Sequence, residues 1–102
     1  MTMVIITYDL AEGVTREEYE AWSREVDQVI GGRQPGIRRY EVFAVDGAGV
    51  GDVNCDIVEV IEADSVEAWE KVNGYPEMKP VYEGFLRLCN PESVRLLYAT
   101  PV

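Results

Sequence analysis

Two helix signatures set among four short β-branched runs restrict the fold more than any other feature, because their order leaves few ways to build a sheet. Met3–Leu10 is an apolar run rich in Val and Ile, ended by Ala11-Glu12-Gly13. It suits a strand inside a sheet. Thr15 and Glu18 have capping-box spacing, and Tyr19, Trp22, Val26 and Ile30 then recur at spacings of 3, 4 and 4 before Gly31-Gly32. This predicts a first helix with one apolar stripe, stopped by the glycine pair. After Gln34-Pro35-Gly36, Ile37–Val45 reads as a second strand, and glycine-rich Asp46–Asp52 as a turn into a third, Asn54–Glu62. Asp64 with Glu67 predicts the start of a second helix carrying Val66, Trp69 and Val72, closed by Gly74 and Pro76. A shorter helix over Pro80–Leu88 presents Val81, Tyr82, Phe85 and Leu86 on one side. Asn90-Pro91 breaks it, and Ser93–Thr100 is the last strand.

The order β-α-β-β-α-(α)-β predicts an α+β, ferredoxin-like βαββαβ fold. Right-handed crossovers put the helices on one face of a four-stranded antiparallel sheet. The first and third strands are then central, with the second beside the third and the fourth beside the first. With 102 residues, the chain is expected to be one domain over residues 1–102.

Strand side chains alternate between faces, so residue parity offers a sorting rule. Even positions, such as Val4, Ile6, Tyr8, Tyr40, Val42, Val58, Val60 and Leu96, are expected beneath the helices. Odd positions, such as Ile5, Phe43, Ile57, Glu59, Ile61 and Leu97, are expected on the bare face. Five large apolar side chains there favour covering by a second copy of the chain.

The balance of 9 Lys and Arg against 19 Asp and Glu, a net charge of −10, excludes polyphosphate binding by a basic surface. Neither nucleic acid nor an anionic membrane is an expected partner. No apolar run approaches a membrane span, the first ten residues lack signal-peptide character, and a cytoplasmic location is the default. Two cysteines without CxxC spacing suit a reducing compartment. The absence of histidine removes imidazole-based triads and the usual zinc and haem ligation. Proton transfer must use Asp, Glu, Tyr, Cys or Lys. No GxGxxG, Walker-type or GxSxG motif occurs, so no cofactor is expected.

Glu18-Tyr19-Glu20-Ala21-Trp22 followed by Arg24-Glu25-Val26-Asp27, the strand Ile37–Val45, and Ile57-Val58-Glu59-Val60-Ile61-Glu62 together resemble the dimeric α/β barrel superfamily. More narrowly, the chain resembles its REDY-like branch, associated with prodigiosin-type natural-product pathways. The resemblance covers nearly the whole chain and implies a homodimer whose two sheets close into a barrel, with a small-molecule cavity between each sheet and its helices. It also implies a small aromatic or polyketide- or pyrrole-like ligand. Members that work without a cofactor include cyclases, oxygenases and decarboxylases. The chain departs from the histidine-bearing members, including those that bind haem.

Tyr8, Trp22, Tyr40, Tyr82 and Tyr98 are expected to point into the space between sheet and helices, where they would serve as ordinary core or line a cleft for a flat ligand. Asp27 lies at the edge of the first helix's apolar stripe, one turn after Ser23; its assignment as a buried acid or base rests chiefly on the resembling segment. Glu59 is the sole charge on its strand face between Cys55 and Ile61, there to pair with Arg39 or Arg95 or to face a polar cavity. Three carboxylates raise a Mg²⁺ or Ca²⁺ question, but without a DxDxDG loop no metal site is expected. Asp27, Tyr8 and Tyr40 are thus the candidate catalytic residues, and Trp22, Tyr82, Tyr98 and Glu59 the candidate binding residues. The chemistry open to them is cofactor-independent proton transfer beside a carbonyl, leading to cyclisation, dehydration or decarboxylation. The alternatives are a non-catalytic binding or scaffolding dimer and a dimer whose cavity its own side chains fill.

Overall fold

The strands β1 (Thr2–Tyr8), β2 (Ile37–Ala44), β3 (Ile57–Ala63) and β4 (Arg95–Ala99) pair antiparallel in the order β2-β3-β1-β4 in the computed structural model, which describes all of Met1–Val102. This is the ferredoxin-like order expected from the sequence. All helices lie on one side of the sheet: α1 (Arg16–Trp22), α2 (Gln28–Gly32), α3 (Val66–Val72) and α4 (Lys79–Leu88). Short 3₁₀ turns at Pro76–Met78 and Pro91–Ser93 enter α4 and β4. No helix is long and apolar enough to cross a membrane.

Local chemistry explains where the helices begin. The Thr15 hydroxyl accepts from the Glu18 amide at 3.2 Å, and the Glu18 carboxylate accepts from the Thr15 amide, so the capping box forms as its spacing predicts. The second helix is capped differently from the expectation. Ser65, not Asp64, stands extended at the N-cap and its Oγ accepts from the Ala68 amide at 3.0 Å, while Asp64 turns outward and accepts from Arg38. The short α1 and α2 form one rod through a π-helical turn, Ser23–Asp27, in which the Gln28 amide bonds to the Ser23 carbonyl, five residues back. Gly31 and Gly32, expected to stop the helix, are instead its last two residues, and Arg33 is the C-cap.

Parity fails on one strand. Val4 pairs with Ile61, Ile6 with Glu59 and Tyr8 with Ile57, so even residues of β1 stand beside odd residues of β3. The helix-facing side of β3 is therefore Ile57, Glu59, Ile61 and Ala63, all buried, and Val58, Val60 and Glu62 face the other way. Parity holds within a strand, whereas the connecting loops decide which parity meets which across a sheet. The other three strands follow the expectation. A bulge at Arg38, between the Ile37–Ala63 and Arg39–Glu62 pairs, leaves the rest of β2 in step.

The core joins Val4, Ile6 and Tyr8 of β1 and Ile57 and Ile61 of β3 to Tyr19, Trp22, Trp69, Val72, Val81 and Leu88 from the helices. Leu86, expected on the inner side of the last helix, is 66% exposed instead. On the outer face Leu97, Ile5 and Val60 lie side by side across three strands, and Phe43 pairs with Val58. Phe43 and Leu97 are half exposed or more. The bare apolar face survives the correction of β3, with Val58 and Val60 in place of Ile57 and Ile61.

The α1 rod packs closely on α4 because Gly84 has no side chain: a Cβ there would meet Trp22 Nε1 at 1.9 Å. Gly84→Ala gains about 1 kcal/mol of helix propensity, but the Trp22 ring must shift to admit the methyl group, and such overpacking costs about 1–3 kcal/mol. A lower urea midpoint with an unchanged m-value is expected.

Candidate functional site

The row Tyr19, Ser23, Asp27 and Gly31, each four residues after the last, runs along the inner side of the α1–α2 rod and is buried throughout. It lies over the sheet where β1, β2 and β3 present Tyr8, Tyr40 and Glu59. Two hydrogen-bonded chains result. In the first, Tyr40 Oη donates to Asp27 Oδ1 at 2.7 Å, Ser23 Oγ donates to Asp27 Oδ2 at 3.2 Å, and Gln28 Nε2 donates to Ser23 Oγ at 3.1 Å. In the second, Tyr8 donates to Glu59 Oε2 and its oxygen also bonds to the Tyr19 hydroxyl. Gly31 makes the first chain possible, since a Cβ there would stand 2.6 Å from the Tyr40 ring.

These groups form one wall of a cavity of about 230 Å³ between the sheet, the α1–α2 rod, α3 and α4. Its remaining lining is apolar and aromatic, including Trp22, Trp69, Met78, Val81 and Phe85, with Tyr82 and Asn73 as a hydrogen-bonded pair at 2.6 Å. An apolar cavity of about 150 Å³ holds benzene. The space here therefore suits a substituted ring or a small bicycle.

Asp27 is 1% exposed and Glu59 is 5% exposed, and no cation pairs with either. Burial pushes the Asp27 carboxyl up to about 6, against the opposing effect of its bonds from Tyr40 and Ser23. Burial, reinforced by the nearby Asp27 charge, pushes Glu59 up to about 8, opposed by the tyrosine hydroxyls. Tyr8, Tyr19 and Tyr40 are all raised, first by burial and then by the carboxylate charges, so they stay protonated. Two carboxyl groups whose surroundings separate their protonation are the usual setting for an acid and base pair.

Of the residues singled out from sequence, Tyr8, Tyr40, Asp27, Trp22, Tyr82 and Glu59 all line this cavity. Tyr98 does not. It is 47% exposed on the edge strand, two residues beyond Leu96, where the cavity lining ends. At about 3.3 Å of rise per residue that is too far along the strand to reach it. Glu59 pairs with neither Arg39 nor Arg95, because it lies beneath the helices and they lie on the opposite face; Arg39 pairs with Glu41 and Glu62. Tyr19 was legible only as a core residue, and its bond to Tyr8 makes it part of the site. The signal that marks it is the four-residue row with Ser23, Asp27 and Gly31, running beside the apolar stripe. The π turn, a feature common at functional sites, has no signature in the spacing.

A family model described as REDY-like protein HapK matches residues 2–98. The chain belongs to this REDY-like family. Among solved structures, HapK from Hahella chejuensis is similar at 19% identity with a TM-score of 0.82, covering 100% of this chain and 93% of that one. SnoaB from Streptomyces nogalater, a cofactor-independent oxygenase, is similar at 14% identity and a TM-score of 0.75, covering 99% and 92%. A dimeric ferredoxin-like protein of unknown function from Thermobifida fusca YX is similar at 13% identity and a TM-score of 0.75, covering 98% and 90%. No curated protein matches the chain in sequence. At these identities the structures establish a shared fold.

In this REDY-like protein the buried carboxyls set a direction for stability against pH. Glu59 is raised from 4.5 to about 8 on folding, so the native state holds a proton that the unfolded chain releases. That contribution is complete below about pH 4.5 and is lost as pH rises through about 8. Asp27 acts in the same sense from 3.8 to about 6, and the two titrate as a coupled pair. Glu59→Gln keeps an acceptor for Tyr8 and cannot ionise, so urea unfolding should lose less stability between pH 5 and pH 9 in this variant than in wild type. At about 1.4 kcal/mol per pKa unit, the difference should reach a few kcal/mol.

Proposed function

We propose that the protein is a homodimer that binds a small aromatic or carbonyl-bearing metabolite in this cavity and performs cofactor-independent acid–base chemistry on it within a natural-product pathway. The observation that carries the reading is the pair of carboxyl groups, each held by a tyrosine, in the wall of an otherwise apolar cavity. Near neutral pH Asp27 is mostly ionised and Glu59 mostly protonated. Asp27 would take a proton from the carbon beside a carbonyl while Glu59 gives one to the carbonyl oxygen. The resulting enol closes a ring by attacking a second electrophilic carbon of the ligand, or expels a β-hydroxyl that leaves as water with the proton held by Asp27; a β-keto acid would instead lose CO₂ to reach the same enol, with Glu59 protonating the oxygen and no α-proton removed. Tyr40 and Tyr8 orient the two carboxyl groups. Trp22 and Tyr82 supply ring surface. SnoaB, a cofactor-independent oxygenase, supports the view that this fold carries chemistry on side chains alone.

Any ligand that co-purifies with the protein can be extracted, identified and used with its chemical neighbours to measure binding and turnover. Asp27→Asn and Glu59→Gln should each lower turnover about 100-fold or more while changing affinity by no more than about 0.5–1.5 kcal/mol, one hydrogen bond's worth. Tyr8→Phe and Tyr40→Phe should do the same more weakly. Unchanged turnover in both carboxyl variants would remove acid–base catalysis and leave a binding protein.

The outer sheet face supports the dimer, as do the dimeric ferredoxin-like relatives. Leu97 is already 64% exposed, so an aspartate there leaves the single chain folded but puts an unpaired charge into the proposed interface. Wild type should sediment at twice the chain mass, and Leu97→Asp should sediment as a single chain at micromolar concentration. Ile57→Asp is no probe of this interface, because Ile57 is buried beneath the helices.

A further inference from the structure

Between the α1–α2 rod and the edge strand β2 lies a second, smaller space of about 60 Å³, and no residue lines both it and the cavity. Glu20, Ser23, Arg24 and Gln28 line it from the rod, and Val42 and Ala44 from the strand. Glu20 and Arg24, an ion pair at 3.7 Å, reach solvent beside it. A polar recess of this size holds about one or two waters. Ser23 stands between the recess and the cavity: its hydroxyl donates to Asp27 in the cavity wall and accepts from Gln28 in the recess wall. A serine inside a helix ordinarily bonds a carbonyl of the preceding turn, whereas this one is aimed at a carboxylate. A hydroxyl has one proton to give and two sites to accept, so Ser23 Oγ keeps one acceptor site for a water. Tyr19, which bonds Tyr8 and through it reaches Glu59, lines the same recess. Both hydrogen-bonded chains therefore run from a carboxyl in the cavity wall to a residue in the recess wall.

A ligand that fills the cavity covers both carboxyls on that side and excludes water from them. Their protonation must still change, since loss of CO₂ from an ionised β-keto acid takes up one proton per turnover. We propose that the recess is a water-filled proton port, through which Ser23 exchanges protons between Asp27 and solvent without crossing the ligand cavity. The inference rests on the acid–base reading above and supplies the route by which its protons arrive and leave. When Asp27 holds a proton, the Ser23 hydroxyl turns to a recess water and gives up its own proton while taking the one from Asp27. The water, now hydronium, passes its extra proton to bulk solvent. Asp27 is left ionised and Ser23 again holds one proton aimed at it, the arrangement in the structure. The reverse sequence delivers a proton.

Asp27 titrates near pH 6, and the titratable groups that face it are Tyr19 on α1, Tyr40 on β2, Glu59 on β3 and Cys89 after α4. The tyrosines and Cys89 are all raised, first by burial, and Glu59 is raised to about 8, so each keeps its proton while Asp27 changes charge. The mostly apolar lining of the cavity gives water few partners on the other side of Asp27. The rate at which Asp27 gains and loses its proton therefore reports on the recess.

Carbon-13 NMR of the intact protein, labelled at its aspartate carboxyls and free of ligand, reads that rate. The Asp27 signal is assigned by its loss in Asp27→Asn, and exchange is measured by relaxation dispersion at the titration midpoint. In Ser23→Ala and in Ala44→Leu, each verified as folded by circular dichroism, exchange should be at least about tenfold slower than in wild type, the lower end of what a positioned proton carrier contributes. Ala44→Leu fills the recess and removes no hydrogen bond, so its midpoint should hold while its rate falls. Ser23→Ala should also raise the midpoint, because the Ser23 bond favours the ionised form. A group that merely held Asp27 in place would shift the midpoint and leave the rate alone. A crystal structure should show a water in the recess within hydrogen-bond distance of Ser23 Oγ. Exchange at the wild-type rate in the folded variants, or a dry recess, would overturn the port. The acid–base reading would survive either result, since it is tested separately by turnover in Asp27→Asn and Glu59→Gln.

Discussion

Two carboxyl groups placed beneath a helix without a cation to meet them constrain everything around the cavity. Burying an ionised carboxylate without compensation is prohibitive, so such a group must gain hydrogen bonds or keep its proton. Both responses occur together here. Asp27 draws in Tyr40 and Ser23, and Glu59 draws in Tyr8 and through it Tyr19. Four elements are thereby tied to one small region: β1, β2, β3 and the α1–α2 rod. The glycine at position 31 and the π turn follow from the same requirement, since they let a tyrosine ring reach a carboxylate from the opposite layer.

The polar core is a poor choice for stability alone. A well-packed apolar replacement of a buried polar cluster is often neutral or stabilising, and nothing in the sheet topology requires charge at Glu59 or Asp27. Their position at the wall of a cavity, with burial raising both, is the arrangement that the proposed acid–base role would use. The surface ion pairs, by contrast, are exposed and contribute little to folding.

The element order, strand order and capping box were legible because each rests on local signals that tertiary contacts reinforce. The helix-facing side of β3 was not legible, for a definite reason: Ile57, Ile61 and Ala63 alternate with Val58 and Val60, so both faces are apolar and the pattern cannot choose between them. Only the register with β1, fixed by the long connection after β2, decides it. That one ambiguity carried Glu59 to the wrong side of the sheet and misassigned its partners. Asp27 was legible as a boundary residue, while its full burial depended on the widened turn. Tyr98 was misjudged because alternation says which way a side chain points and nothing about how far the helices extend over it.

A π turn is in effect an α-helix with one residue too many. The surplus is absorbed inside the turn, so the helix on either side keeps the alignment it would have without it. Deleting one position between Ser23 and Asp27 would restore regular α winding and leave Gln28–Gly32 facing the sheet, with Gly31 still against the Tyr40 ring. The change would fall on the turn itself, where Ser23 and Asp27 meet. Among related chains, a difference of one residue confined to this stretch would therefore separate those that carry the bulge from those that do not, with the rest of the rod in step.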